Sequence, residues 1–145
     1  MLDKEVTEVS TKIRNVTVQK LEEKANHNTP VVFEFGVNLE ESERAIDSIV
    51  LGFKMKMDAE PAIVRFIVEG TTTVNGEEGE IEKLLSPDPQ TGVPIVFTSI
   101  YQSVYSVIFM LAGTVDVPYP SPALLKKAHV RTAYPAEMNV AGPER

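Results

Sequence analysis

Few side chains in this sequence are placed to do covalent chemistry. There is no cysteine, and the only histidines are His27 and His129. They lie far apart, neither has a neighbour at metal-ligand spacing, and no serine sits in a G-x-S-x-G elbow. His27, in Asn26-His-Asn28, reads as part of an exposed loop. His129 reads as lying near the end of a short helix, where a cation is mildly favoured. The acid clusters Glu40-Glu41-Glu43 and Glu77-Glu78-Glu80-Glu82 lack the alternating Asp/Asn and Gly that wrap a calcium ion. They read as a solvated turn and a charged helix start. No glycine-rich loop opens a helix to cradle phosphate. The sequence therefore predicts no catalytic residues, no metal and no cofactor. The chemistry left to it is recognition by surfaces.

Two segments carry such surfaces. From Pro89 to Val115 the chain has no charged residue. Its middle, Pro94 to Ala112, reads as one helix with apolar residues at Ile95, Phe97, Ile100, Tyr101, Val104, Tyr105, Val107, Ile108 and Leu111. Thr98, Ser99, Gln102, Ser103 and Ser106 recur at spacings of three and four, forming a second stripe without a single Lys or Glu. An unpaired charge is costly where water is excluded, so a neutral stripe suits a helix whose second face meets protein. Ser99, Gln102, Ser103, Ser106 and Met110 are accordingly the expected subunit interface. The second segment is Val117-Pro-Tyr119-Pro, which presents apolar side chains on a stiff backbone. It either lines a groove, with Leu21 to Val31 as the other wall, or seals the base of the core.

The bulk numbers narrow the partners. The chain has 145 residues, 43% hydrophobic and 24% charged, with a formal net charge of −7. That length and balance suit one globular domain with a real core. The acidic charge argues against nucleic acid and anionic membrane surfaces, both of which need clustered Lys and Arg. Gln102 and the hydroxyl side chains make the neutral stretch a poor bilayer span, so no membrane insertion is expected. A cysteine-free composition and a charged opening, Met1 to Val6, predict a cytoplasmic protein without a secretory signal.

These surfaces need a scaffold. A first strand is expected at about Thr11 to Gln19, with Val16 and Val18 on one face and Ile13 on the other. The second has Val31, Phe33, Phe35, Val37 and Leu39 at alternate positions, the period of a half-buried strand. A charged turn, Glu40 to Arg44, follows. Ile49, Leu51, Phe53, Met55 and Met57 alternate in a third strand, which Asp58-Ala-Glu-Pro61 ends as a tight turn. Val64, Phe66 and Val68 mark a fourth, from Ala62 to Val74. Leu21 to Pro30 could cross over the sheet. Glu77 to Leu85 reads as a short helix closed by Ser86-Pro-Asp-Pro89. After the long helix, Pro118, Pro120 and Pro122 enforce extended loop. A further short helix is expected at Ala123 to His129, with Ser121 as cap, and a loose tail from Tyr134 to Arg145. The fold class is α+β: a four-stranded antiparallel sheet with a crossover connection, covered by one long helix and a short C-terminal helix. Residues 1–133 form the single domain and 134–145 the tail.

In order and spacing these pieces resemble SecB, the export chaperone family. The resemblance starts at Arg14-Asn-Val-Thr-Val18 and continues through Val68-Glu-Gly-Thr-Thr-Thr-Val-Asn-Gly76. It is strongest over Gly79-Glu-Ile-Glu-Lys-Leu-Leu85, Pro94-Ile-Val-Phe97, Leu111-Ala-Gly113, Val117-Pro-Tyr-Pro and Pro122-Ala-Leu-Leu125, and it spans roughly residues 11 to 128. It implies a dimer of dimers with the long helices packed at the interface. It also implies an ATP-independent holdase that keeps unfolded or preprotein chains in a groove between the crossover and the second helix. Leu21, Val31, Val117, Tyr119, Leu124 and Leu125 would line that groove, with Tyr101 and Tyr105 near or beneath it. Where the family's motor-coupled members carry an acidic patch for SecA, this chain has Asn15, Gln19 and Arg65, so coupling to a SecA-type motor is not expected. Two other readings stand beside the holdase. One is an oligomeric scaffold of the same fold with one dedicated protein partner, such as an antitoxin-type client. The other is a small-molecule enzyme or carrier using the groove, which no reactive residue set supports.

Overall fold

The computed structural model describes residues 7–21, 31–121 and 129–133. The elements are β1 (Glu8–Lys20), β2 (Val32–Ala45), β3 (Ser48–Glu60), β4 (Val64–Asn75), α1 (Glu78–Leu85), α2 (Ile95–Val115) and β5 (His129–Ala133). They form one sheet of order β1-β4-β3-β2-β5. Every pairing among β1 to β4 is antiparallel. β5 joins the outer edge of β2 in parallel.

Alternation decides which face is covered. Phe33, Phe35, Val37 and Leu39 of β2 are buried, as are Ile49, Leu51, Phe53, Met55 and Met57 of β3 and Val64, Phe66, Val68 and Val74 of β4. The intervening Glu34, Asn38, Lys54 and Lys56 face solvent. α2 lies over the inner face and contributes Val96, Phe97, Ile100, Tyr101, Val104, Ile108 and Ala112 to the same core; α1 adds Ile81 and Leu85. Burying one such aliphatic or aromatic side chain is worth about 1.5–3 kcal/mol, so this two-layer contact is the main support of the fold.

Several boundaries differ from the sequence expectation, each for a local reason. In β1 a bulge between Ile13 and Asn15 inserts one residue. One extra residue reverses side-chain parity, so Val9, Ile13, Val16 and Val18 all pack against the core. β2 does not turn at Glu40 to Arg44. A second bulge, between Glu41 and Glu43, carries pairing on to Ala45. There Arg44 is held by Glu41 and, across to α1, by Glu82, each at 3.0 Å. The chain reverses at Ile46-Asp47 instead. β3 runs to Glu60, where the cis Glu60–Pro61 bond starts the next turn. α2 continues past Gly113 to Val115 because Asp116, at φ 61°, takes the left-handed position that closes the helix, a conformation Asp tolerates better than most residues. The sheet has a fifth strand, and His129 opens it rather than ending a helix. The rest of the expected C-terminal helix, the crossover and the tail lie outside the described residues.

Gly70 faces the β1 bulge. A Cβ there would meet the Lys12 carbonyl oxygen, the Ile13 Cα and the Phe53 ring. Two of these three are backbone atoms and cannot rotate away. Gly70→Ala is expected to destabilise the fold by about 1–3 kcal/mol, read as a lower midpoint in urea with an unchanged slope. Gly36→Ala is the control, because that position has open space around it.

Candidate functional site

Phe97, Tyr101, Tyr105 and Phe109 stand four residues apart on α2. A helix turns 3.6 residues at a time, so a four-residue repeat drifts by about 40° per step. The row therefore starts on the core face and winds out of it. Phe97 and Tyr101 are buried, Tyr105 is half-buried, and Phe109 is 51% exposed. Successive ring centroids are 6.3, 6.1 and 6.1 Å apart. At its buried end Tyr101 meets Phe35 of β2 edge-on at 5.5 Å. At its exposed end Phe109 meets Tyr119 edge-on at 5.0 Å. The result is a continuous aromatic ridge from the sheet to the surface.

The proline-rich loop builds the ridge's border. After Asp116 the chain folds back along α2: the Val117 N–H bonds the Ala112 carbonyl at 3.0 Å, Tyr119 packs on Phe109, and the Tyr101 hydroxyl donates to the Ser121 carbonyl. Burial raises the phenol pKa of Tyr101 above its ordinary value, with Tyr105 adding to the shift. Burial followed by nearby Tyr119 does the same for Tyr105. Both phenols therefore remain neutral at physiological pH, and the ridge carries no charge.

The residues expected to line a groove fall in several places. Tyr119, 46% exposed, is on the ridge. Val117 is 2% exposed and seals the core beneath the end of α2, so it offers no surface in the subunit. Leu21 is 45% exposed just beyond β1, its N–H bonded to the Ile63 carbonyl at 2.8 Å. Val31 is half-buried at the start of β2, at the same end of the sheet. Leu124 and Leu125 lie outside the described residues, as does His27. Phe109 is the residue the sequence reading missed, although the four-residue aromatic spacing was visible there. Among the described residues no three His, Asp or Glu side chains come together as a metal site would require.

The neutral stripe of α2 runs alongside the ridge's exposed end, with Gln102 only about 20° round the helix from Phe109. Gln102, Ser103 and Ser106 are exposed, Ser99 is half-buried and Met110 is 66% exposed. α2 is long and apolar enough to cross a membrane by length and composition, but one of its sectors is committed to the sheet.

No protein-family model matches the chain, and no curated protein matches it by sequence. Among solved structures, it is similar to the Mycobacterium tuberculosis Rv1957 SecB-like chaperone in complex with a ChAD peptide from the Rv1956 HigA1 antitoxin. The likeness has a TM-score of 0.56 at 8% identity and covers 82% of this chain and 89% of that one. The fold is that of the SecB-like chaperones. At 8% identity the likeness is one of fold.

Proposed function

We propose that this chain is an ATP-independent holdase for unfolded or preprotein segments. The observation that carries this reading is the ridge. Phe109 and Tyr119 are exposed side by side, on a backbone fixed by α2 and by the loop that Tyr101 anchors. Rigid aromatic surface of this kind gains contact area from an apolar segment at little entropic cost.

The same reading has the neutral sector of α2 meet a second copy, building a dimer of dimers that works in the cytoplasm. Coupling to a SecA-type motor has little support. Arg65 is paired with Asp58 at 2.6 Å. Glu69, an acidic group on the outer sheet face, is surrounded by Asn15 at 3.3 Å, Lys54 at 3.8 Å and Arg14 at 3.9 Å. Neighbours of this kind offset the charge of Glu69.

A second reading, one dedicated client of the antitoxin type, draws on the antitoxin peptide held by the SecB-like structural neighbour. Light scattering of several chemically unfolded clients, diluted with and without the purified chain, separates the two. A holdase is expected to suppress aggregation of all of them at about one assembly per client chain. Protection of none of them overturns the proposal, and stoichiometric capture of one folded partner alone favours the dedicated-client reading.

A further inference from the structure

Asn75-Gly76 is the one Asn-Gly pair in the sequence. In a free chain such a pair is chemically labile, because the glycine has no side chain to shield its backbone nitrogen from the preceding side-chain amide. The fold places this pair where several elements end. Asn75 is the last residue of β4, and it stands in register with Glu8, the first residue of β1, and with Ser48, the first of β3. α1 begins at Glu78, two residues after Gly76. The Gly76 N–H donates to the Asp47 carbonyl, in the turn between β2 and β3, at 2.9 Å. Thr7 closes on the other side: a Cβ at Gly76 would come within 2.9 Å of the Thr7 Oγ1. Asn75 itself is exposed, so water reaches it.

We propose that Asn75 is a deamidation site gated by this junction. In the reaction the Gly76 nitrogen gives its proton to solvent base and attacks the Asn75 Cγ. The Cγ–Nδ2 bond breaks, ammonia leaves with a proton from water, and a succinimide remains. Water then opens the ring at one carbonyl or the other, giving aspartate or isoaspartate. In the folded chain the Asp47 carbonyl holds the proton that must leave. Ladder pairing on both sides also keeps Asn75 extended, and the ring cannot close until that pairing lets go. The step therefore waits for local opening, which strand ends undergo more readily than strand centres. Conversion is irreversible and marks a chain that has opened here. It also prevents clean reclosure. A new carboxylate at position 75 stands directly opposite Glu8, an unfavourable cross-strand pair. Isoaspartate adds a methylene to the backbone between β4 and α1, whose Ile81 and Leu85 belong to the core. None of this depends on holdase activity.

The test incubates the full chain at mildly alkaline pH, folded in buffer and unfolded in guanidinium chloride. Peptide mapping by mass spectrometry follows aspartate and isoaspartate at every asparagine. In the unfolded arm Asn75 is expected to convert ahead of Asn15, Asn26, Asn28, Asn38 and Asn139, none of which precedes a glycine. In the folded arm conversion at Asn75 should be about tenfold or more slower. Equal rates in the two arms overturn the gate, and no preference for Asn75 in the unfolded arm overturns the site. The converted chain, separated by ion exchange, is expected to unfold at a lower denaturant concentration than the parent. An unchanged midpoint overturns the claim that conversion prevents reclosure. Asn75→Gln, whose longer side chain would have to close a less favourable six-membered ring, should keep the parent's midpoint through the same incubation. If it loses stability as fast as the parent, the damage lies elsewhere and the proposal falls.

Discussion

Ser103→Glu is expected to convert the assembly into smaller species while leaving the circular dichroism spectrum of the subunit unchanged. Ser103 is exposed in the isolated subunit and lies within the uncharged sector of α2. No core contact is lost, and glutamate is a good helix former. In a two-fold interface the substitution appears twice, each time as a carboxylate with no cation on the facing helix, because α2 carries none. Leaving a charge buried without its partner costs about 3–5 kcal/mol, which weakens association by roughly two to four orders of magnitude. Multi-angle light scattering at micromolar concentration reads this directly as a fall in mass. Ser103→Ala should leave the mass alone. A Ser103→Glu protein with the parent's mass would show that this sector faces water, and the assembly proposal would fall.

How much of this was legible in the sequence depended on whether a local period determined the outcome. β2, β3 and β4 could be read because Phe, Val, Met and Ile alternate without interruption, and a sheet buried on one face demands that parity. In β1 the same logic misplaced Ile13: a bulge is a pairing event between β1 and β4, and the β1 sequence alone does not show it. The signal lay instead at Gly70, the one residue that lets the bulged backbone come close. The sequence places the helix end three residues early because Gly113 is the customary stop, whereas Asp116 supplies the left-handed residue. β5 has five residues, too few for a period to stand out, and it is a strand because the edge of β2 offers it hydrogen bonds. The neutral stripe and the exposed ridge share one stretch, but a division of α2 into apolar and polar faces hides the ridge. Phe109 belongs to neither. It is the outer end of a row that begins in the core, and only a four-residue count finds it.

That distinction between sectors gives the second large effect. Phe109→Asp is expected to abolish protection of unfolded clients without changing the mass of the assembly. Phe109 sits six residues beyond Ser103, about 120° round the helix, at the far edge of the neutral stripe beside Gln102, so the mass of the assembly is the readout that tells the two surfaces apart. The ring is 51% exposed and its neighbour Tyr119 is 46% exposed, which means the fold loses little when it goes. The edge-on pair itself contributes about 0.5–1.5 kcal/mol. A client would lose more. Aromatic anchors of this kind account for roughly 2–4 kcal/mol when truncated, and a carboxylate in their place adds the cost of desolvation against an apolar segment. Client affinity should therefore fall by roughly 30-fold to 1,000-fold, while Phe109→Tyr, which keeps the ring, should bind nearly as the parent does. The outcomes are independent: Ser103→Glu lowers mass, and Phe109→Asp lowers protection at constant mass. If Phe109→Asp instead splits the assembly, the ridge is where subunits meet, and client capture must be sought elsewhere on the fold.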